Sequence, residues 1–386
     1  MAKPRAYLDH NASAPLLPAA REAMVSALAL SANPSSVHRE GRGARRLVEE
    51  ARAAVAALAG GRAEHVVFTS GATEAASTLL TPDWRMGRMP LRFSRLYVSA
   101  ADHPCLLAGG RFAAGQVVRV GADANGVVDL PALRAALSAH DRDEGLPLVA
   151  MHWVNNETGV VQPMAEIGRI VREAGGTLVV DAVQAAGRIA LDIAAGPADC
   201  LILSAHKIGG PAGVGAIVAK ADLMMPVALV TGGGQEKGFR AGTENLAGIA
   251  GFGAAAREAL RQLDALGPIR ACRDAAEAAI RRLAPEAVIF GEGTERVCNT
   301  TFFAVPGLKA ETAQIAFDLA GVALSAGSAC SSGKVGPSHV LKAMGVDDAL
   351  GALRVSVGPG TTRDDIALFE TALAGLLARR GAERAA

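Results

Sequence analysis

Cysteine is scarce and scattered in this chain: Cys105, Cys200, Cys272, Cys298 and Cys330 are the only five, widely spaced, and no two form a C-x-x-C pair. The odd count argues against a disulfide framework and the missing pairs argue against a zinc site, so no metal centre is expected. A block of like charge is also lacking. Lys and Arg total 39 against 38 for Asp and Glu, a formal charge of +1, and no basic run could neutralise a row of phosphates, so nucleic acid is not an expected partner. No stretch approaches the roughly 18 apolar residues of a membrane helix. The opening "MAKPRAYLDH" has neither the apolar core nor the small-residue cleavage site of a secretory signal, and the expectation is a cytoplasmic protein away from membranes. Internal repeats, low-complexity tracts and long polar linkers are missing as well.

What the 386 residues do contain is hydrophobic surface, half of the composition, enough for a large core. At roughly 100 to 200 residues per domain, the length suggests two domains. Between about residue 45 and residue 255, helical periods such as "ARRLVEEARAAVAAL" alternate with the runs "HVVFTS", "RLYVSA", "PLVAMHWV", "GTLVVDAV", "ADCLILSAHK" and "GVGAIVAK". Runs apolar throughout suit strands buried on both faces, which predicts an α/β domain with a mostly parallel central sheet covered by helices. After "AGFGAAAREALRQLDAL" the pattern changes to short strands and helices, ending in a helix whose start, Thr362 to Asp365, reads as a capping box and whose Ile366, Phe369, Leu373 and Leu376 fall at helical spacing. The expected division is a large domain at residues 15–255 and a smaller α+β domain made of residues 1–14 and 256–386, with the junction inside a helix.

Asp181 directly follows one apolar run and Lys207 closely follows another. In open parallel sheets ligands bind at the carboxyl ends of strands, so both charges should face one crevice. Taken alone, Asp181 reads as a helix cap and Lys207 as a surface lysine. Together they supply an amine able to form a Schiff base and a carboxylate able to hold a protonated pyridine nitrogen, the pair that pyridoxal 5'-phosphate (PLP) requires. The stretch "HVVFTSGATEAA" adds a strand, a turn at Ser70, Gly71, Ala72 and Thr73, and a helix whose first amides point at an anion, although such turns are ordinary in α/β proteins. It is neither a G-x-G-x-x-G nor a P-loop motif, which argues against a dinucleotide or nucleoside triphosphate.

In family order, the chain carries "YLDHNASAPL", "NPSSVHREGRGARRLVEEAR", "FTSGATEA", "NNETGVVQP", "DAVQAAGRI", "SAHKIGGPAGVGAI", "GGGQEKGFRAGTEN", "SAGSACSSG" and "LRVSVG". With these motifs it resembles the PLP-dependent cysteine desulfurases of the NifS/IscS group, in the aminotransferase class V family, over nearly its whole length. The resemblance implies the PLP-dependent transferase fold of type I and a homodimer with shared active sites. It also implies that Lys207 is the Schiff-base lysine and the base for the α-proton, that Asp181 pairs with the pyridine nitrogen, and that Gln184 approaches the phenolic oxygen. Ala72 and Thr73, with Ser204 and His206, would bind the phosphate. His103 would stack on the ring and assist proton transfers. Asn156 would contact cofactor or substrate, and Thr243 would reach the phosphate of the neighbouring subunit. Arg354 alternates with the apolar Leu353, Val355 and Val357, so it points away from that strand's apolar face, and its fork suits a substrate carboxylate.

The implied reaction converts L-cysteine to L-alanine, with Cys330 as thiolate taking the sulfur as a persulfide for an acceptor such as an iron–sulfur cluster scaffold. The small residues around Cys330 suit a loop that moves; without the motif, a cysteine is normally a small core hydrophobe. Cys105, close to His103, is a second candidate thiol. The chain departs from the family at "HNASAP", at Pro104 and Cys105, and at Ala212, where lysine or arginine is common. A selenocysteine lyase, another class V enzyme such as an aminotransferase, and a non-enzymatic sulfur-carrier platform are the alternatives.

Overall fold

The apolar runs form strands because each can be buried on both faces. In the computed structural model, which describes residues 5–327, 338–346 and 351–385, every residue of Val66–Thr69, Thr177–Asp181, Cys200–Ser204 and Gly215–Ala219 is buried. They belong to a nine-stranded sheet. Its order is Met224–Pro226, Asp83–Met86, Met89–Ser99, Leu146–His152, Thr177–Asp181, Cys200–Ser204, Gly215–Ala219 and Val66–Thr69, with Val117–Val120 also pairing with Met89–Ser99.

Pairings from Val117–Val120 through Cys200–Ser204 are parallel. Gly215–Ala219 runs against both its neighbours, so Val66–Thr69 points the same way as the central strands. Their carboxyl ends therefore lie along one edge. Asp83–Met86, Val117–Val120 and Met224–Pro226 extend the sheet beyond the six runs visible in the sequence.

Side chains alternate across the sheet as the pleat requires. Phe68, Met151, Val180 and Leu203 face a core shared with Val48 and Val55 of helix Arg39–Leu58 and Phe252 and Ala256 of helix Leu246–Gln262. Val67, Ala150, Val179 and Ile202 face the opposite core, closed by Ala75, Ala76 and Leu79 of helix Ala72–Leu79. No described helix is long and apolar enough to cross a membrane.

A separate core begins at Ile269 and includes Ala6 and Leu8 from the other end of the chain. It packs around an antiparallel sheet ordered Val288–Ile289, Thr300–Ala304, Leu353–Ser356 and Ser325–Ala326, while Ala6–Tyr7 pairs in parallel with Val322–Ala323. Helix Arg363–Ala385 covers it, burying Ile366, Phe369, Leu373 and Leu376, with Phe369 stacked on Phe317 at 5.5 Å between ring centroids. Its capping box forms: Thr362 N donates to Asp365 Oδ2 at 2.8 Å and Asp365 N to Thr362 Oγ1 at 3.2 Å. Burial of the phenylalanines and aliphatic residues, not helix propensity, holds this layer in place.

Candidate active site

Sheet register brings the polar residues together. His152 lies opposite Asp181 on adjacent parallel strands. Ser204 and Thr69 lie opposite Gly215 from either side. A Cβ on Gly215 would sit 2.6 Å from the carbonyl carbon of Gly71, so only glycine lets the Ser70–Thr73 turn fold down over the strand ends. Above that edge is a cavity of about 350 Å³, whose walls include Lys207, Asp181, Gln184 and Asn156. Ala72, Thr73, Ser204, His206 and His103 line it as well. Sequence positions 72 to 207 thus converge on one hollow.

Lys207 ends the short 3-10 turn Ala205–Lys207 that follows strand Cys200–Ser204. Its Nζ donates to the main-chain oxygens of Asn11 at 2.7 Å and Ala12 at 2.9 Å. The neighbouring His206 contacts Ser13 Oγ through Nδ1 at 3.3 Å, and burial together with the Lys207 charge lowers its pKa to about 4. Neutral at physiological pH, His206 can accept or donate a hydrogen bond without adding charge.

Asp181 is buried at the end of its strand, where Oδ1 accepts from Val183 N at 3.0 Å. Burial pushes its carboxyl up to about 6, opposed by that hydrogen bond and by His152 and Lys207. Gln184 donates through Nε2 to Asn11 O at 2.9 Å, while its buried Oε1 has no hydrogen-bond partner among the described residues.

His103 caps the short helix Pro104–Leu107, its Nδ1 accepting from Cys105 N at 3.2 Å. Because Nδ1 accepts, the neutral ring carries its proton on Nε2. Burial, then Lys207, lowers its pKa to about 4. Cys105 also lines the cavity, but burial and the nearby Asp181 and Asp102 push its thiol far up, so it is held protonated and is a poor nucleophile.

Arg354 is 2% exposed and faces away from the core formed by Leu353, Val355 and Val357, which rules out an exposed strand arginine. It donates through Nη1 to Asn156 O at 2.9 Å and through Nη2 to Asp9 Oδ1 at 2.8 Å and Ser325 Oγ at 3.2 Å. Its Nε is buried with no hydrogen-bond partner among the described residues. Arg354 does not line the cavity of Lys207 and Asp181; it adjoins that cavity through Asn156.

Cys330 lies outside the described residues, but both flanks of its segment are anchored here. Ser325 accepts from Arg354, and Ser338 Oγ donates to Glu157 Oε2 at 2.5 Å. Glu157 is 1% exposed, and burial raises its carboxyl to about 7 against the pull of Ser338 and Arg354.

Thr243 stands apart. It is exposed and borders a separate hollow behind the Ser70–Thr73 turn with Thr69, Ser70 and Arg240. That loop is tied down by Glu236, which accepts from Arg52 at 2.7 Å to each carboxylate oxygen and from Phe68 N at 2.8 Å.

Asn11, Asp9, Asp102 and His152 are site residues that local reading missed. His152 had a signal in hindsight, a histidine closing the apolar run "LPLVAMH". Asn11 sits in the motif "YLDHNASAPL", but nothing local points its side chain to Thr300, Asn156 and Asn299, far along the chain.

A model of the family described as aminotransferase class-V matches residues 6–369. The chain belongs to that family. This class-V chain is 40% identical over 378 residues to a cysteine desulfurase of Frankia sp. (strain EuIK1), covering 93% of this chain and 88% of the relative. Its fold matches the X-ray structure of a NifS-like protein from Rickettsia africae ESF-5 with a TM-score of 0.86 and 30% identity, covering 97% of this chain and 99% of that one. The structure of SspA in complex with cysteine is similar at a TM-score of 0.74 and 26% identity, over 92% of this chain and 100% of that one.

Proposed function

We propose that this class-V protein is a PLP-dependent cysteine desulfurase that converts L-cysteine to L-alanine. The observation that carries the reading is the single cavity in which Lys207 and the buried carboxylate of Asp181 share walls with the Ser70–Thr73 turn. The residues fit the cofactor: the first amides of helix Ala72–Leu79 have no intrahelical acceptors, Gln184 Oε1 is buried without a partner among the described residues, and a buried carboxylate suits a cationic ring nitrogen. Relatives named cysteine desulfurases and a neighbour structure with cysteine support the same substrate.

Bound PLP supplies an electron sink that makes bonds at the substrate α-carbon labile. Lys207 anchors it and moves the α-proton at Nζ. Asp181 holds the ring nitrogen, Gln184 the phenolic oxygen, and Ala72, Thr73, Ser204 and His206 the phosphate. His103, neutral at pH 7, stacks on the ring and carries a proton at Nε2 without repelling Lys207. Asn156 contacts cofactor or substrate, and Arg354, which adjoins the cavity through Asn156, offers its guanidinium to the substrate carboxylate. Cys330 attacks the substrate sulfur as a thiolate: a sulfur–sulfur bond forms as the carbon–sulfur bond breaks, and the carbon takes a proton to become the methyl group of alanine.

The reading includes a cytoplasmic homodimer in which Thr243 serves the partner's phosphate site. It divides the chain into a large domain at 15–255 and a small domain from 1–14 and 256–386. The persulfide passes to an acceptor protein such as an iron–sulfur scaffold. The test is to add L-cysteine to PLP-loaded protein and measure alanine, sulfide and protein-bound persulfide. Absence of a visible absorbance band in the loaded protein, or amino-group transfer without sulfur release, would overturn the assignment.

A further inference from the structure

Lys207 also lines a second cavity, of about 410 Å³, set between the two cores: Ala259 on its wall belongs to the core under the large sheet and Ile269 to the separate one. Its volume is that of a small-ligand site. Arg188 stands on this wall, 8% exposed. Its Nη1 donates to Gln184 O at 3.1 Å and its Nη2 to Asn11 Oδ1 at 3.4 Å, so two of the five guanidinium N–H groups find an acceptor among the described residues. The other buried arginines, Arg52, Arg273 and Arg354, each hold a carboxylate at 2.7 or 2.8 Å. Arg188 has no such partner among the described residues. Burial lowers its pKa to about 10, Cys298 opposing and Arg354 adding to the fall, so it stays charged at neutral pH. A buried charge without a counter-charge is costly, and an anion in the cavity would relieve it.

His10 lines the same cavity, 6% exposed, and its ring makes no hydrogen bond among the described residues. It packs on Tyr7 and against Gly358, where a Cβ would come within 2.1 Å of Nδ1. Burial, then Arg188, lowers its pKa to about 4 against Asp9 and Asp365, so the neutral ring offers one N–H donor. The acid on the wall, Asp365, is engaged elsewhere, its Oδ2 accepting from Thr362 N at 2.8 Å and Thr362 Oγ1 at 2.7 Å. Arg5, on the same wall, is paired with Asp318. We propose that this cavity binds a short-chain aliphatic carboxylate, its carboxylate on Arg188 and His10 and its aliphatic body among Leu17, Ile208 and Ile269. The guanidinium fork matches a carboxylate, and the apolar side chains favour an organic acid over a fully hydrated inorganic anion. The occupant would lie beside Asn11, whose Oδ1 meets Arg188 and whose main-chain oxygen receives Lys207 Nζ.

The test is calorimetry of hexanoate, hexanamide and inorganic phosphate with the full-length PLP-loaded protein and with Arg188→Gln and Gln262→Trp. Hexanoate should bind the parent with a Kd below about 1 mM. The neutral amide, of the same shape, should bind at least about tenfold more weakly, and Arg188→Gln should weaken hexanoate by a similar factor, the lower end for a hydrogen bond to a charged group. Gln262→Trp fills the cavity from its half-buried wall and leaves Arg188 in place, and it should abolish binding. Absence of binding by hexanoate up to about 10 mM, equal affinity for the amide, or unchanged affinity in either variant overturns the proposal. Phosphate binding as tight as that of hexanoate overturns the choice of an organic carboxylate. Should Arg188→Gln fail to fold, the amide and Gln262→Trp decide by the same criteria.

Discussion

Lys207 Nζ donates to the carbonyl oxygen of Asn11 at 2.7 Å across 196 residues of sequence. The amine of the large sheet is thus aimed by the segment that leads out of the second core, which holds Ala6 and Leu8. Asn11 is itself fixed, donating to Thr300 Oγ1 at 2.9 Å and accepting from Asn299 Nδ2 at 3.0 Å. Asn11, 2% exposed, links the two cores at the point where the chemistry is assigned.

Asn11→Ala would strip those buried partners of their hydrogen bonds. We expect a loss of about 1–3 kcal/mol in unfolding free energy, the usual cost of leaving buried polar groups unmet. Urea denaturation of parent and variant, at equal cofactor loading, checks it. An unchanged midpoint would mean that water replaces the side chain.

In the proposed reaction, Lys207→Ala removes both anchor and base. Alanine production from L-cysteine should fall by at least about 10²-fold, the lower end of what a positioned proton-transfer group contributes. The visible band of the loaded protein should disappear or shift. Retention of both would exclude Lys207 from the reaction.

The two thiols should separate cleanly. Cys330→Ala is expected to retain the visible band and to lose the protein-bound persulfide, whereas Cys105→Ala should still form it, because burial holds the Cys105 thiol protonated. Mass spectrometry of each protein after exposure to L-cysteine gives the answer. Persulfide found on Cys105 would reverse the assignment.

Glu157 predicts a pH effect on stability. Its carboxyl is raised by burial from 4.5 to about 7. Between those values the folded state binds a proton that the unfolded state has released, so stability from this group declines as pH rises through that window. Glu157→Gln should flatten this part of the profile and make the variant relatively more stable near pH 8. Denaturant melts at about pH 5 and about pH 8 test the sign.

Glu236 and Arg52 form a buried ion pair, 2% and 8% exposed at their side chains. The pair also pins a loop whose Glu236 and Lys237 adopt φ of 45° and 57°, the left-handed region that side chains disfavour. Removing one partner strands the other charge, so Glu236→Ala should cost about 3–5 kcal/mol, read from urea denaturation. A far smaller loss would show that water reaches Arg52.

Much of the nine-stranded sheet was legible because burial on both faces writes a continuous apolar run, and the residues that close such runs, Asp181, Ser204 and Lys207, sit at the carboxyl edge of the sheet by construction. The short strands Asp83–Met86, Val117–Val120 and Met224–Pro226 were not legible. At three or four residues, partly exposed, they carry too little pattern to stand out from loop. The reversal of Gly215–Ala219 was hidden too, since an apolar run reads the same in either direction.

The sequence by itself determined the α/β class, the position of the lysine and the carboxylate at strand ends, the Ser70–Thr73 turn between a strand and a helix, and the motif order that marks the family. These depend on local spacing and residue type. Tertiary structure alone decided that Asp102 locks His152 beside Asp181, that Arg354 is buried against Asp9 and Asn156, and that Asn11 receives Lys207. Each of those contacts joins segments brought together by strand order and by the return of the N-terminal segment to the second core. Local propensity holds no record of either.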